Sequence, residues 1–152
     1  MKKSIIVTGT PGTGKTKVAK LIAKKIKAEY VDVNEIIKDK KLYLGYDKKL
    51  RSYEVNLNKL ISCLTKLIKS SKDKLVIDSH HSHNVPRRYV ELCIVTKCSL
   101  KTLKRRLLKR GYSKQKIREN MDAEIFDVCL LEAVMNKHKI KVVDTTKGVK
   151  LN

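Results

Sequence analysis

Apolar positions along this chain follow two rhythms that take turns. Short β-branched runs at 4–8, 28–33, 74–78, 89–95 and 139–144 read as strands. The run at 74–78 is apolar from Leu75 through Ile77 and ends in Asp78, as a strand buried on both faces would be. Between these runs, apolar residues fall three and four apart over 17–26, 57–70, 100–109 and 114–136, which predicts helices. A shorter amphipathic piece covers 35–41. Asn34, Asn56, Ser99 and Ser113 stand where a side-chain oxygen would cap a helix start, and Gly111 ends the helix at 100–109. Residues 42–55 are polar and tyrosine-bearing. They predict an irregular insertion between strand and helix, and long loops of that kind usually carry binding work. Strands alternating with helices predict one α/β domain over 1–152, with a five-stranded parallel sheet flanked by helices. Ligands of such sheets bind beyond the C-terminal strand ends. Residues 9–16, Asp32, 78–80 and Thr145-Thr146 all fall at those ends.

The turn from the first strand into the first helix is Gly9-Thr10-Pro11-Gly12-Thr13-Gly14-Lys15-Thr16. Strand, glycine-rich loop and helix together form the setting of a phosphate-binding P-loop. The helix begins with unpaired N–H groups and the positive end of its dipole, so an anion is stabilised there. The backbone through Gly9, Gly12, Thr13 and Gly14 can curl its N–H groups inward around phosphate oxygens. Lys15 is placed to reach the β- and γ-phosphates, and the Thr16 hydroxyl to sit on a magnesium ion. The loop specifies a nucleoside triphosphate without saying what is done with it.

Composition narrows the classes. The chain has 152 residues, with 36 Lys+Arg against 15 Asp+Glu and a formal net charge of +21. A field of that sign attracts polyanions, so contact with RNA is one reading and a merely solvated lysine surface is the other. One Phe, six Tyr and no Trp leave no aromatic-interleaved platform for reading single-stranded RNA. The four cysteines contain no Cys-x-x-Cys pair and read as thiols in a reducing compartment. The chain starts directly on a strand and holds no apolar run long enough to span a bilayer. A cytoplasmic protein with no membrane partner is expected.

Further chemistry gathers after the third strand. Asp78 stands where P-loop proteins place the second magnesium-site group, the acid ending a neighbouring strand. His80 follows two residues on, placed to face the γ-phosphate. His81 and His83 are expected to face solvent or a partner. Three histidines in four residues invite a metal-site reading, but no further ligand converges with zinc-like spacing. The basic turn around Arg106, Lys109 and Arg110 could close over the phosphates as a lid. Arg110 is the first choice for stabilising the moving charge, since a guanidinium fork matches phosphate oxygens, and Arg106 is the second.

The P-loop, Tyr46-Asp47, Ile77-Asp78-Ser79-His80, Arg110-Gly111-Tyr112, Asn120 and Glu124-Ile125-Phe126 occur in an order that resembles one family. It is the adenylate kinase isoenzyme six family, small adenylate-kinase-like ATPases of ribosome maturation. The resemblance covers nearly the whole chain, whose length suits a short, archaeal-type member. It implies a nucleoside monophosphate kinase of broad specificity, with ATPase activity, using ATP and Mg2+. It implies that Gly12, Gly14, Lys15, Thr16 and Lys17 bind the triphosphate, that Asp78 and His80 form the family's acid–histidine pair, and that Arg110 is its lid arginine. It further implies an insertion at 34–55 that binds AMP or another monophosphate, and a lid at 109–119. Late maturation of the small ribosomal subunit follows as an implied role, with a small-subunit ribosomal protein of the S-eleven family and pre-ribosomal RNA as partners. The sequence departs from the family in Ser79, in His81-Ser82-His83 and in Lys17. The acceptor region has Arg51 as its only arginine. Two other readings therefore stand beside the kinase: an assembly-factor ATPase with little monophosphate kinase activity, and a basic RNA-binding protein with a vestigial P-loop.

Overall fold

The computed structural model describes residues 1–149. Five strands, β1 (Ser4–Thr8), β2 (Glu29–Asp32), β5 (Leu75–Asp78), β6 (Val90–Lys97) and β7 (Ile140–Asp144), form one parallel sheet in the order β2-β5-β1-β6-β7. Two further strands, β3 (Tyr43–Asp47) and β4 (Ser52–Val55), pair antiparallel as a separate hairpin. Residues 42–55 are thus ordered rather than irregular. The hairpin turn is held by the Asp47 carboxylate, which accepts from the N–H groups of Lys49 and Leu50 at 2.9 and 3.0 Å.

Alternation along β1 sorts the core into two layers. Ile6 joins Ile77, Val31 and Val95 against α2 (Val33–Asp39) and α3 (Leu57–Ser70), through Ile37, Leu60, Leu64 and Ile68. Ile5 and Val7 turn the other way and pack with Val76 and Ile94 on α1 (Lys15–Ile26), through Val18, Ala19 and Ile22. Each fully buried leucine or isoleucine of these layers contributes about 1.5–3 kcal/mol by leaving water. A smaller cluster of Cys98, Leu103, Leu107 and Ile117 joins α4 (Leu100–Lys109) to α5 (Lys114–Ile125).

Three local expectations change. Asp32, not Asn34, caps α2, its carboxylate accepting from the Asn34 N–H at 2.9 Å, and α2 therefore starts at Val33. The helix expected over 114–136 is two helices, α5 and α6 (Val128–Met135), broken at Asp127, whose φ of 51° is left-handed. His83 does not face solvent: it is buried at 2% exposure. Its Nδ1 lies 2.7 Å from the Thr8 hydroxyl and its Nε2 lies 3.3 Å from the Glu132 carboxylate. Among the described residues, no helix is long and apolar enough to cross a membrane.

Candidate active site

The P-loop leaves β1 at Gly9, whose φ is +146°. A side chain there would collide with Thr96, because a Cβ would come within 2.4 Å of the Thr96 hydroxyl and 2.6 Å of its carbonyl. Only glycine lets the loop leave the sheet at this point. Thr13 is buried and braces the turn from inside, its hydroxyl donating to the Thr10 carbonyl at 2.6 Å and meeting the Thr96 hydroxyl at 2.8 Å. Gly14 caps α1, which starts at Lys15. The Lys15 ammonium rests 3.3 Å from the Thr10 carbonyl. Burial pulls its pKa down to about 8, against the opposing pull of Asp78. A cation held in that condition is stabilised by the arrival of an anion.

Asp78 ends β5 beside β1, with Asp78 level with Val7. Its Oδ2 accepts from the Thr16 hydroxyl at 2.8 Å and from the Tyr30 hydroxyl at 2.7 Å. Tyr30 lies on β2, and sequence reasoning passed it over. Burial and its bond to the Asp78 carboxylate both push its phenol pKa up, so it stays a donor. Thr16 and Asp78 offer hard oxygen atoms side by side, the donor set that suits Mg2+, which takes one or two protein oxygens and completes its shell with water and phosphate. Among the described residues, no cluster of His, Cys, Asp and Glu is built to hold a metal by itself.

His80 lines the same cleft, its ring 3.9 Å from that of His81. Burial, then the neighbouring His81, holds its pKa well below the usual histidine value, so it is a neutral imidazole at neutral pH. The two candidate arginines separate clearly. Arg106 spends its fork inside the protein, donating to the Gly12 carbonyl at 3.2 Å and to the Thr145 hydroxyl and carbonyl at 3.0 and 2.6 Å. Arg110 is exposed at the cleft rim, and among the described residues its guanidinium meets Tyr112 alone, at 3.4 Å from the hydroxyl and 5.9 Å from the ring centroid.

One continuous cleft of about 1240 Å³ takes in these groups. Gly12, Gly14, Lys15, Thr16 and Lys17 of the P-loop and first helix line it, as do Tyr43, Tyr46, Arg51 and Tyr53 of the hairpin region. Asp78 and His80 also line it, with Arg110, Lys116 and Asn120 along the α4–α5 wall. Asp32 is not part of this lining and Thr145 is. Of the three hairpin tyrosines, Tyr53 packs against both others, tilted on Tyr43 with ring centroids 4.5 Å apart and edge-on to Tyr46 at 5.1 Å.

Comparison with known proteins fits this geometry. The AAA domain family matches residues 5–127. The adenylate kinase isoenzyme 6 homolog of Dictyostelium discoideum is 36% identical over 142 residues, covering 93% of this chain and 79% of that protein. The chain belongs to the adenylate kinase isoenzyme 6 family. Another member, the adenylate kinase isoenzyme 6 homolog of Schizosaccharomyces pombe, is 37% identical over 131 residues, 86% of this chain and 73% of the relative. Among solved structures, shikimate kinase from Acinetobacter baumannii in complex with shikimate matches with a TM-score of 0.64 at 17% identity, covering 97% of this chain and 86% of that one. The fold of this chain is thus that of the P-loop kinases, as expected from its α/β pattern and P-loop.

Proposed function

We propose that this protein transfers the γ-phosphoryl group of ATP to a nucleoside monophosphate, with AMP as the reference acceptor and a broad acceptor range, and hydrolyses ATP when no acceptor is bound. The observation that carries the reading is the single cleft. At about 1240 Å³ it exceeds the roughly 300–1,000 Å³ of a one-ligand site, and its lining joins the phosphate-binding loop to the aromatic rings of the hairpin. Transfer needs two bound nucleotides with reacting phosphates between them, and this shape supports that. In this reading residues 34–55 form the acceptor-binding insertion and 109–119 the lid.

The roles follow from the chemistry of each group. The P-loop from Gly9 to Lys17 cradles the phosphates through backbone N–H groups, and Lys15 follows the transferring phosphoryl group. Thr16 and Asp78 would hold Mg2+, which supplies charge neutralisation on the β- and γ-phosphate oxygens when bound. Arg110 swings from the rim onto those oxygens, since among the described residues its guanidinium meets only Tyr112, whereas Arg106 fixes Gly12 and Thr145. His80, neutral, serves as a hydrogen-bonding group that orients the attacking oxygen rather than as a cation. Closure of the lid excludes water and favours transfer over hydrolysis.

Product analysis with ATP and magnesium, with and without AMP, tests the reading. Two ADP formed per AMP consumed, with little free phosphate, is the expected outcome, and Lys15→Ala is expected to lower the rate at least about 100-fold. Free phosphate as the main product, indifferent to AMP, would sink it. That result would favour the second reading, an assembly-factor ATPase in maturation of the small ribosomal subunit, acting with a ribosomal protein of the S-eleven family and pre-ribosomal RNA. The net charge of +21 and the single acceptor-side arginine, Arg51, support that alternative.

A further inference from the structure

Glu124 lies near the C-terminal end of α5, and its side chain is only 5% exposed. It serves three different elements. Its Oε1 accepts from the Thr10 hydroxyl at 3.2 Å and from the Lys97 ammonium at 3.1 Å, and its Oε2 accepts from the Cys98 N–H at 3.2 Å. Lys97 also pairs with Asp127, the left-handed residue at the break between α5 and α6. Thr10 is the P-loop residue whose carbonyl receives both the Thr13 hydroxyl and the Lys15 ammonium. The carboxylate therefore fixes, through one hydroxyl, the peptide on which Lys15 rests. The same helix begins at Lys114, three residues after Gly111, and lines the cleft with Lys116, Glu119 and Asn120.

We propose that Glu124 is a positioning residue for the ATP end of the site: it sets the place of Thr10, and through it of Lys15, from the helix that follows the lid. The proposal rests on the reading of this cleft as an ATP site, and it adds a specific coupling between α5 and the P-loop. A buried carboxylate bonded by three donors holds its geometry closely, and a hydrogen bond to a charged acceptor is stronger than one between neutral groups. Lys15 touches the triphosphate and not the acceptor, so its displacement acts on one ligand selectively.

The experiment is equilibrium binding of a non-hydrolysable ATP analogue and of AMP, measured separately on Thr10→Val, Thr10→Ser and Glu124→Gln beside the parent chain. Thr10→Val is close in shape and removes only the hydroxyl. It is expected to weaken the analogue about 10-fold while AMP affinity moves less than about 2-fold, since loss of a hydrogen bond to a charged group is worth roughly a factor of ten. Thr10→Ser restores the hydroxyl and is expected to recover most of that loss. Glu124→Gln removes the charge and one of the two acceptor oxygens; it is expected to weaken the analogue, and the double variant Thr10→Val with Glu124→Gln by less than the product of the two single effects, because the two changes share the Thr10–Glu124 bond. Equal weakening of both ligands, or a lowered melting temperature with unchanged analogue affinity in Thr10→Val, would overturn the proposal and leave Glu124 a packing residue. Failure of the parent chain to phosphorylate AMP would remove the transfer reaction proposed above, while the selective loss of analogue binding would still read the Glu124 coupling.

Discussion

At the residue scale, Lys15 carries the clearest measurable consequence. With its pKa lowered to about 8, the ammonium is about half protonated at pH 8 in the nucleotide-free protein. Triphosphate beside it favours the charged form, so its pKa rises on binding and protons are taken up. Calorimetry in buffers of different ionisation enthalpy is expected to show uptake of about half a proton per site at pH 8 and almost none at pH 6. The Lys15→Met variant loses the effect. Unchanged uptake in that variant would place the titrating group elsewhere. That Lys15, Thr16 and Asp78 meet beyond the strand ends was legible in the sequence, because the loop spacing and the strand ends dictate their places. Tyr30 was not. Its bond to Asp78 depends on β2 lying beside β5, with Asp32 level with Asp78, and nothing local announces that pairing. His83 was misread as surface for the same reason: its partners Thr8 and Glu132 are 75 and 49 positions away.

At the scale of elements, α4 is the support on which the P-loop rests. The helix at 100–109 was visible from its period, but not that Leu103 and Leu107 press on Gly12. A Cβ at Gly12 would meet Leu103 at 2.9 Å and Leu107 at 3.0 Å, at a φ of +95° that disfavours any side chain. Gly12→Ala is therefore expected to cost about 2 kcal/mol or more in urea unfolding, from left-handed strain and overpacking together. A loss below about 0.5 kcal/mol would mean that α4 yields easily. The hairpin and the α5–α6 break were hidden by ordinary-looking residues. Lys48-Lys49-Leu50-Arg51 carries no Asn-Gly or Asp-Gly turn signal, and the turning is done by the Asp47 side chain. The helix break has neither glycine nor proline, and Asp127 takes the left-handed conformation while paired with Lys97.

At the scale of the molecule, a neutral histidine cluster is built into a chain of net charge +21. Burial is the first cause that lowers the pKa of both His81, to about 4, and His83. A histidine depressed in the fold binds protons more readily when unfolded. Its contribution to stability is complete above the unfolded value of 6.5 and is lost as pH falls below it toward the folded value. The melting temperature is expected to fall between pH 7 and pH 4.5, and less steeply in His81→Asn. Parallel pH profiles for the two proteins would show that His81 does not titrate with unfolding. The large positive charge, obvious in the sequence, says nothing of where these neutral rings sit. The placement of the tyrosines has an optical consequence. The chain holds six tyrosines and no tryptophan, so no indole masks their emission. Tyr43, Tyr46, Tyr53 and Tyr112 line the cleft, and Tyr30 hands its proton bond to Asp78. Five of the six chromophores thus surround the proposed chemistry, and the ultraviolet glow of the unlabelled protein is in effect a signal from its cleft.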